Sequence, residues 1–262
     1  MRIALGIEYD GTAYNGWQRQ KVGRGVQELV EKALTQVANH PIEVVCSGRT
    51  DTGVHATCQV IHFDTESERA MRSWVLGTNS NLPDDINVCW SKSPGKDFNA
   101  RYSAVARTYR YLILNRPIRS SLFRHRAWWL HETLDDSSMQ DGANHLLGKH
   151  DFSAFRAAGC QASTPIREIM ELTVSRHGDW ISVTIKANAF LQHMVRNIAG
   201  ALVATGRGDQ PAKWIKEILD GRDRTAGGIA APAHGLTLVR IDYPPAFDIP
   251  GAGIPALLPG ID

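Results

Sequence analysis

The sequence predicts an α+β fold built as two related lobes, with antiparallel sheets flanking a central active-site cleft. Two observations carry this expectation. The chain has 262 residues, 43% of them apolar and 21% charged, a globular composition long enough for one large domain or two of ordinary size. Each half also mixes one-faced helical patterns with strands joined by short turns, as α+β units do and a doubly wound sheet does not. The same composition excludes wholesale disorder, collagen and coiled coil. No run of about 18 uncharged apolar residues is present to cross a membrane as a helix.

Met1–Tyr9 reads as a strand closed by the turn signal Asp10-Gly11. It meets a carboxylate at Glu8 too early for a secretory apolar core, so no leader is expected. Gly25–His40 places Val26, Leu29, Val30, Ala33, Leu34 and Val37 on one helical face. Ile42–Ser47 and Cys58–Phe63 read as strands around the loop Gly48–Thr57, followed by a helix over Ser67–Leu76 and strands over Ile86–Trp90 and Val105–Leu114. In the second half, Ala127–His131 is a strand and Asp135–Leu147 a helix with an Asp cap. Arg167–Arg176 and Trp180–Ala187 form a hairpin about His177-Gly178-Asp179, helices cover Leu191–Thr205 and Lys213–Leu219, and Leu236–Tyr243 is the last strand. The predicted organisation is a lobe over residues 1–105, a second over 106–243, both ferredoxin/RRM-like, and a Pro/Gly-rich tail over 244–262 that is an extension and not a third domain.

The net charge of +2 conceals an uneven distribution. Arg101, Arg107, Arg110, Arg116, Arg119, Arg124 and Arg126 fall in one stretch without Asp or Glu, leaving −5 for the rest of the chain. Gly11–Gln27 adds Arg19, Lys21 and Arg24, again without an acid. Concentrated positive charge on a slightly acidic body points either to a polyanionic partner or to a solvated Arg-rich surface. Cys46, Cys58, Cys89 and Cys160 are far apart with no C-x-x-C pair, so they are expected to be reduced thiols of a cytoplasmic protein.

The segment Gly48-Arg49-Thr50-Asp51-Thr52-Gly53-Val54-His55-Ala56 is the densest in functional groups. A strand-to-strand loop carrying a cation, a carboxylate, an imidazole and hydroxyls is a natural place for catalytic groups, although Asp and Thr also close ordinary turns on their own backbone. Asp51-Thr52-Gly53 spells the triplet of aspartic proteases, but those enzymes need two carboxylates sharing a proton, and no second such triplet exists here. The His residues show no H-E-x-x-H or other metal-ligand spacing. Gly148-Lys149-His150 lacks the rest of a P-loop, and Gly206-Arg207-Gly208 is no dinucleotide fingerprint. Aspartate is the leading catalytic candidate, with neither metal nor nucleotide cofactor.

Seven segments in order resemble the tRNA pseudouridine synthase A family: Tyr9–Gln20, Gly48–Ala56, Asn81–Ile86, Phe98–Tyr102, Arg107–Tyr111, Phe190–Ile198 and Ala231–Leu236. They span roughly residues 3–243, and the ordered set is far more specific than any one of them. Two positions depart from the usual pattern: Thr52 stands where Ala is common and Cys58 where Gly is common. Neither change removes a reactive group, and the tail lies beyond the family's shared core.

The resemblance implies isomerisation of uridine to pseudouridine in the anticodon stem-loop of tRNA, around positions 38 to 40, by a homodimer that needs no cofactor. It makes Asp51 the nucleophile, Arg196 its ion-pair partner across the cleft, and Tyr109 a ring for the extruded uracil. Arg49 is expected to help flip or hold the nucleotide, and Arg101, Arg107 and Arg110 to contact the RNA backbone. His55 is expected either to support the loop or to touch RNA. A non-catalytic RNA-binding protein or folding helper that uses the same basic cleft is the competing reading.

Overall fold

The fold is taken from a computed structural model of the chain, and it describes residues 1–250. The predicted tail therefore lies partly outside the described residues, which end shortly after a 3-10 turn at Pro245–Phe247. The mixed α+β class is borne out: the sheets are mostly antiparallel, with helices packed against them.

The chain divides into two compact units. The first holds Met1–Arg107 and resumes at Thr237; the second holds Thr108–Leu236. In chain order the first unit has β1 (Arg2–Tyr9), α1 (Val26–Ala38), β2 (Val45–Cys46), β3 (His55–Asp64), α2 (Met71–Asn79) and β4 (Ile86–Lys92). β5 (Ala106–Asn115) carries the boundary, and the second unit continues with β6 (Trp128–Leu130), α3 (Asp136–Asn144), β7 (Gly148–Asp151), β8 (Ile166–His177), β9 (Trp180–Ala187), α4 (Met194–Gly206) and α5 (Lys213–Gly221). β10 (Leu236–Asp242) belongs almost wholly to the first unit.

The strand order in the first unit is β4-β1-β3-β10, with β2 on β3. β1 runs antiparallel to β3 and β4, while β10 runs parallel to β3 with Thr237 opposite His55 and Leu238 opposite Ala56. Between Ile7↔Gln59 and Tyr9↔Ala56 the register slips, leaving one extra residue on β3. Such a bulge bends a strand and re-aims its side chains, and here it immediately follows the Asp51 loop. Ile3, Leu5, Ile7, Val30, Leu34, Ile61 and Trp74 are all essentially inaccessible in this unit's core. In the second unit the order is β5-β9-β8-β7, with β6 parallel to β5.

The elements differ from expectation where side chains take over backbone pairing. Ile42–Ser47 is a strand only at Val45–Cys46, because the amides of Ile42 and Val44 donate to Thr35 Oγ1 and Glu31 Oε1 of α1, each at 3.1 Å. The helix expected to reach Leu147 ends at Asn144, where the His145 and Leu146 amides tighten onto the Gly142 and Ala143 carbonyls; the polar run Gly148–Asp151 then pairs with Ile166–Ile169. Its Asp135 cap is as expected, accepting from the amides of Ser137 and Ser138. The hydroxyls of the same two serines donate to it as well, each at 2.6 Å, and these bonds, with smaller contributions from the amides, lower the Asp135 pKa to about 2.

One buried titratable group secures the Phe98–Tyr102 segment. His62 Nδ1 accepts from the Ala100 amide at 3.1 Å, and its ring meets Phe98 edge-on. Burial, with a smaller effect of Arg2, brings the His62 pKa down to about 4. Arg2 itself forks onto Asp64 and reaches the carbonyls of Lys96 and Phe98 at 2.7 Å.

The His62 shift has a fixed sign. The unfolded chain binds its proton near pH 6.5 and the folded chain only near pH 4, so this contribution is complete above pH 6.5 and lost as pH falls towards 4. The urea midpoint of the wild type is expected to fall more steeply over that window than that of His62→Gln. The difference in slope should correspond to at most about one proton.

Candidate active site

Asp51 sits half-buried in the loop between β2 and β3, and its neighbours on both sides are tied down. Gln59, fully buried on β3, accepts from Ser47 Oγ at 2.6 Å and donates to the Gly48 carbonyl at 2.7 Å. Thr50 Oγ1 lies 2.7 Å from the Tyr9 hydroxyl, and the Thr50 carbonyl accepts from the Trp17 amide at 3.0 Å. The Gly53 amide donates to the Tyr14 carbonyl at 3.3 Å, and the Val54 amide closes a turn onto the Asp51 carbonyl at 3.1 Å.

The partner surface is the segment Gly11–Trp17, and two glycines let it come close. A Cβ on Gly11 would stand 2.0 Å from the Val54 carbonyl oxygen. On Gly16, at φ +90°, it would stand 2.5 Å from the Thr50 oxygen and 3.0 Å from the Asp51 carbonyl carbon. Backbone therefore packs on backbone, with Trp17 buried and its ring tilted against Tyr9.

The third motif joins the same assembly. The Tyr14 hydroxyl donates to Asp85, and the Asp10 amide donates to the Asp85 carbonyl at 2.9 Å. Burial, then the bond to Asp85, pushes the Tyr14 phenol well above its usual pKa. His55, only 2% exposed, places Nδ1 3.0 Å from both the Gly11 amide nitrogen and the Asp10 carboxylate.

The predicted RNA contacts separate into two kinds. Arg49 and Arg101 face solvent, and Arg101 lies over the Tyr102 ring at 5.3 Å. Both act on Cys46, whose pKa is pushed up to about 11 by burial and partly pulled back by the two cations. Arg107 is half-buried, with its guanidinium on the carbonyls of Ala104, Arg101 and Ser47. Arg110 is buried. In the Gly11–Gln27 stretch, Arg19 pairs with the buried Glu31, which also accepts from Gln27 and Val44. Arg24 lies over the Tyr14 ring.

Tyr109, Arg110 and Arg196 belong to the second unit. The Tyr109 ring, 8% exposed, meets Phe190 edge-on at 5.1 Å. Arg196, on the first turn of α4, donates from Nε to the Ala231 carbonyl at 2.8 Å, and the Ala231 amide donates back to the Arg196 carbonyl. Gly200 permits this crossing, since a Cβ there would meet the Ile229 oxygen at 1.9 Å. The adjacent Asn197 donates to the Phe155 carbonyl, and Tyr111 donates to Pro232.

Ser47 and Gln59 escaped the sequence reading, and Phe190, which opens the Phe190–Ile198 segment, was given no role there. Gln59 carried a signal, as a lone amide inside the apolar run Cys58–Ile61; Ser47 did not stand out from its surroundings. Among the described residues, no three His, Cys, Asp or Glu side chains are grouped to hold a metal ion.

These features define an α+β protein with one loop-borne carboxylate on a glycine-backed seat. Similarity to known proteins is consistent along the chain. The tRNA pseudouridine synthase family profile matches residues 6–103 and 143–244. The tRNA pseudouridine synthase A of Vibrio parahaemolyticus serotype O3:K6 is 52% identical over 260 residues, covering 99% of this chain and 98% of that protein. The tRNA pseudouridine synthase A of Coxiella burnetii (strain Dugway 5J108-111) is 51% identical over 249 residues, 95% of each chain. The chain belongs to the tRNA pseudouridine synthase family.

The glycine seat makes a measurable claim. Gly16→Ala adds both backbone strain and a collision, whereas Gly95→Ala, at φ +92° with open space around its Cβ, adds strain alone. Urea unfolding is expected to show Gly16→Ala less stable than Gly95→Ala by about 1–3 kcal/mol.

Proposed function

We propose that this chain isomerises uridine to pseudouridine in the anticodon stem-loop of tRNA, around positions 38 to 40, with Asp51 as the nucleophile. Membership of the family makes the chain a pseudouridine synthase acting on tRNA. The observation that best supports the choice of Asp51 is the effort spent on its loop. The Tyr9–Gln20 motif bonds directly to that backbone, Asp85 of a third motif braces Tyr14 and Asp10 behind it, and Asp51 is the one acid within the loop.

The reaction breaks the N1–C1′ bond, turns the uracil, joins C5 to C1′ and moves the C5 proton, so substrate and product are isomers. A nucleophilic carboxylate must be ionised, and a nearby cation favours that form. Arg196 fills this role in the proposal and Tyr109 contacts the uracil, as the resemblance assigns them. A uridine in a stem must first leave the stack, at a cost of a few kcal/mol. Arg49 and Arg101, as exposed cations, suit the phosphates on either side of the extruded nucleotide. The proposal includes the homodimer and the cytoplasmic location that the resemblance implies. No helix among the described residues is long and apolar enough to cross a membrane.

Asp51→Asn keeps the shape of the side chain and removes its nucleophilicity. It is expected to bind tRNA within a few-fold of the wild type. Tritium release from tRNA carrying 5-tritiated uridine should fall to below about one-thousandth of the wild-type rate. Tritium release at the wild-type rate would exclude Asp51. A wild type that binds tRNA without turnover would favour the non-catalytic RNA-binding reading.

A further inference from the structure

We propose that Arg107 is a positioning residue for the Asp51 loop and not a phosphate contact. The inference rests on the reading of Asp51 as the nucleophile. Arg107 stands near the start of β5, second of the seven arginines in the acid-free stretch, where the resemblance makes it an RNA contact. Its guanidinium faces the protein. One terminal nitrogen donates to the Ala104 carbonyl at 3.1 Å, and the other donates to Ser47 at 2.9 Å and Arg101 at 2.8 Å.

The Ser47 carbonyl is the significant partner. It belongs to the peptide that opens the Asp51 loop, and Ser47 is 2% exposed. The Ser47 amide donates to the Val60 carbonyl at 2.9 Å, and its hydroxyl donates to Gln59. Gln59 in turn holds Gly48. The Gly11–Trp17 seat fixes the loop from Thr50 onward, so Arg107 and Gln59 fix its other root.

The Arg101 carbonyl gives the same guanidinium a second load. Arg101 follows Ala100, whose amide is held by His62 and whose carbonyl accepts from the Tyr243 hydroxyl at 2.7 Å. Phe98 packs against Tyr243 and Phe247, so the chain beyond β10 backs this segment. One planar fork thus ties the root of the Asp51 loop to the Arg101 peptide, which His62 and Tyr243 hold independently through Ala100. A lysine has one compact nitrogen and cannot reproduce a fork that serves three carbonyls.

Two variants, Arg107→Lys and Arg107→Gln, separate positioning from phosphate binding, with Arg101→Ala as the comparator. In each full-length protein, kcat is measured by tritium release at saturating tRNA, and tRNA affinity is followed against salt concentration. Positioning predicts that both Arg107 variants lose about 10-fold or more in kcat, since small misplacements of a reacting group are expensive. Their Kd stays within about twofold of the wild type and the salt slope is unchanged. Arg101→Ala should instead weaken binding and lower the salt slope by about 1.

A wild-type kcat in Arg107→Lys overturns the proposal, as does an Arg107→Gln variant that behaves like Arg101→Ala. Should Arg107→Gln fail to fold, Arg107→Lys, which keeps the charge, decides alone. The wild-type rate separates the two levels of claim. If the wild type makes no pseudouridine, the functional reading itself has failed; a normal wild-type rate with unimpaired Arg107 variants removes only the positioning role.

Discussion

The contact that fixes the Asp51 loop is backbone on backbone: Gly16 against the Thr50 and Asp51 peptides. A short acidic loop has many accessible conformations, and holding one of them costs about 1–2 kcal/mol per residue in backbone entropy. Here the cost is offset by hydrogen bonds from elements that are themselves fixed. Trp17 and Tyr14 hold the loop from one side, and the Tyr9 hydroxyl holds it from the end of β1. Any side chain at Gly16 would separate the two backbones. That physical demand explains why Tyr9–Gln20 and Gly48–Ala56 occur together in one chain.

The same logic extends outward. Asp85 holds Tyr14, Glu31 holds Arg19, and His62 holds Ala100, and each of these supports has low exposure or a buried partner. Several residues that look like surface charge in the sequence are therefore spent on scaffolding. The positive charge left facing solvent near the loop, Arg49 and Arg101, is a smaller set than the arginine count suggests. In the second unit, Arg119 and Arg124 line a cavity of about 250 Å³ together with Trp128, Trp129 and His234. The basic stretch is thus a mixture of structural and accessible cations.

Much of the fold was legible because periodicity reports burial. The helix over Val26–Ala38 and the hairpin of β8 and β9 follow from apolar spacing and from a Gly-Asp turn with Gly178 at φ +57°. β2 is shorter than its pattern suggests because side chains of α1 take its backbone amides, and α3 stops early because the His145 and Leu146 amides tighten onto the Gly142 and Ala143 carbonyls. Asp51 was legible through the density of functional groups around it. The inward turn of Arg107 was not, since a guanidinium that binds carbonyls and one that binds phosphates look alike in a sequence.

The account as a whole is tested most directly by locating, nucleotide by nucleotide, the pseudouridines that purified wild-type protein forms in an unmodified tRNA. It predicts new pseudouridine in the anticodon stem-loop, around positions 38 to 40, and at no other uridine. An unaltered tRNA, or modification confined to another arm, would contradict it.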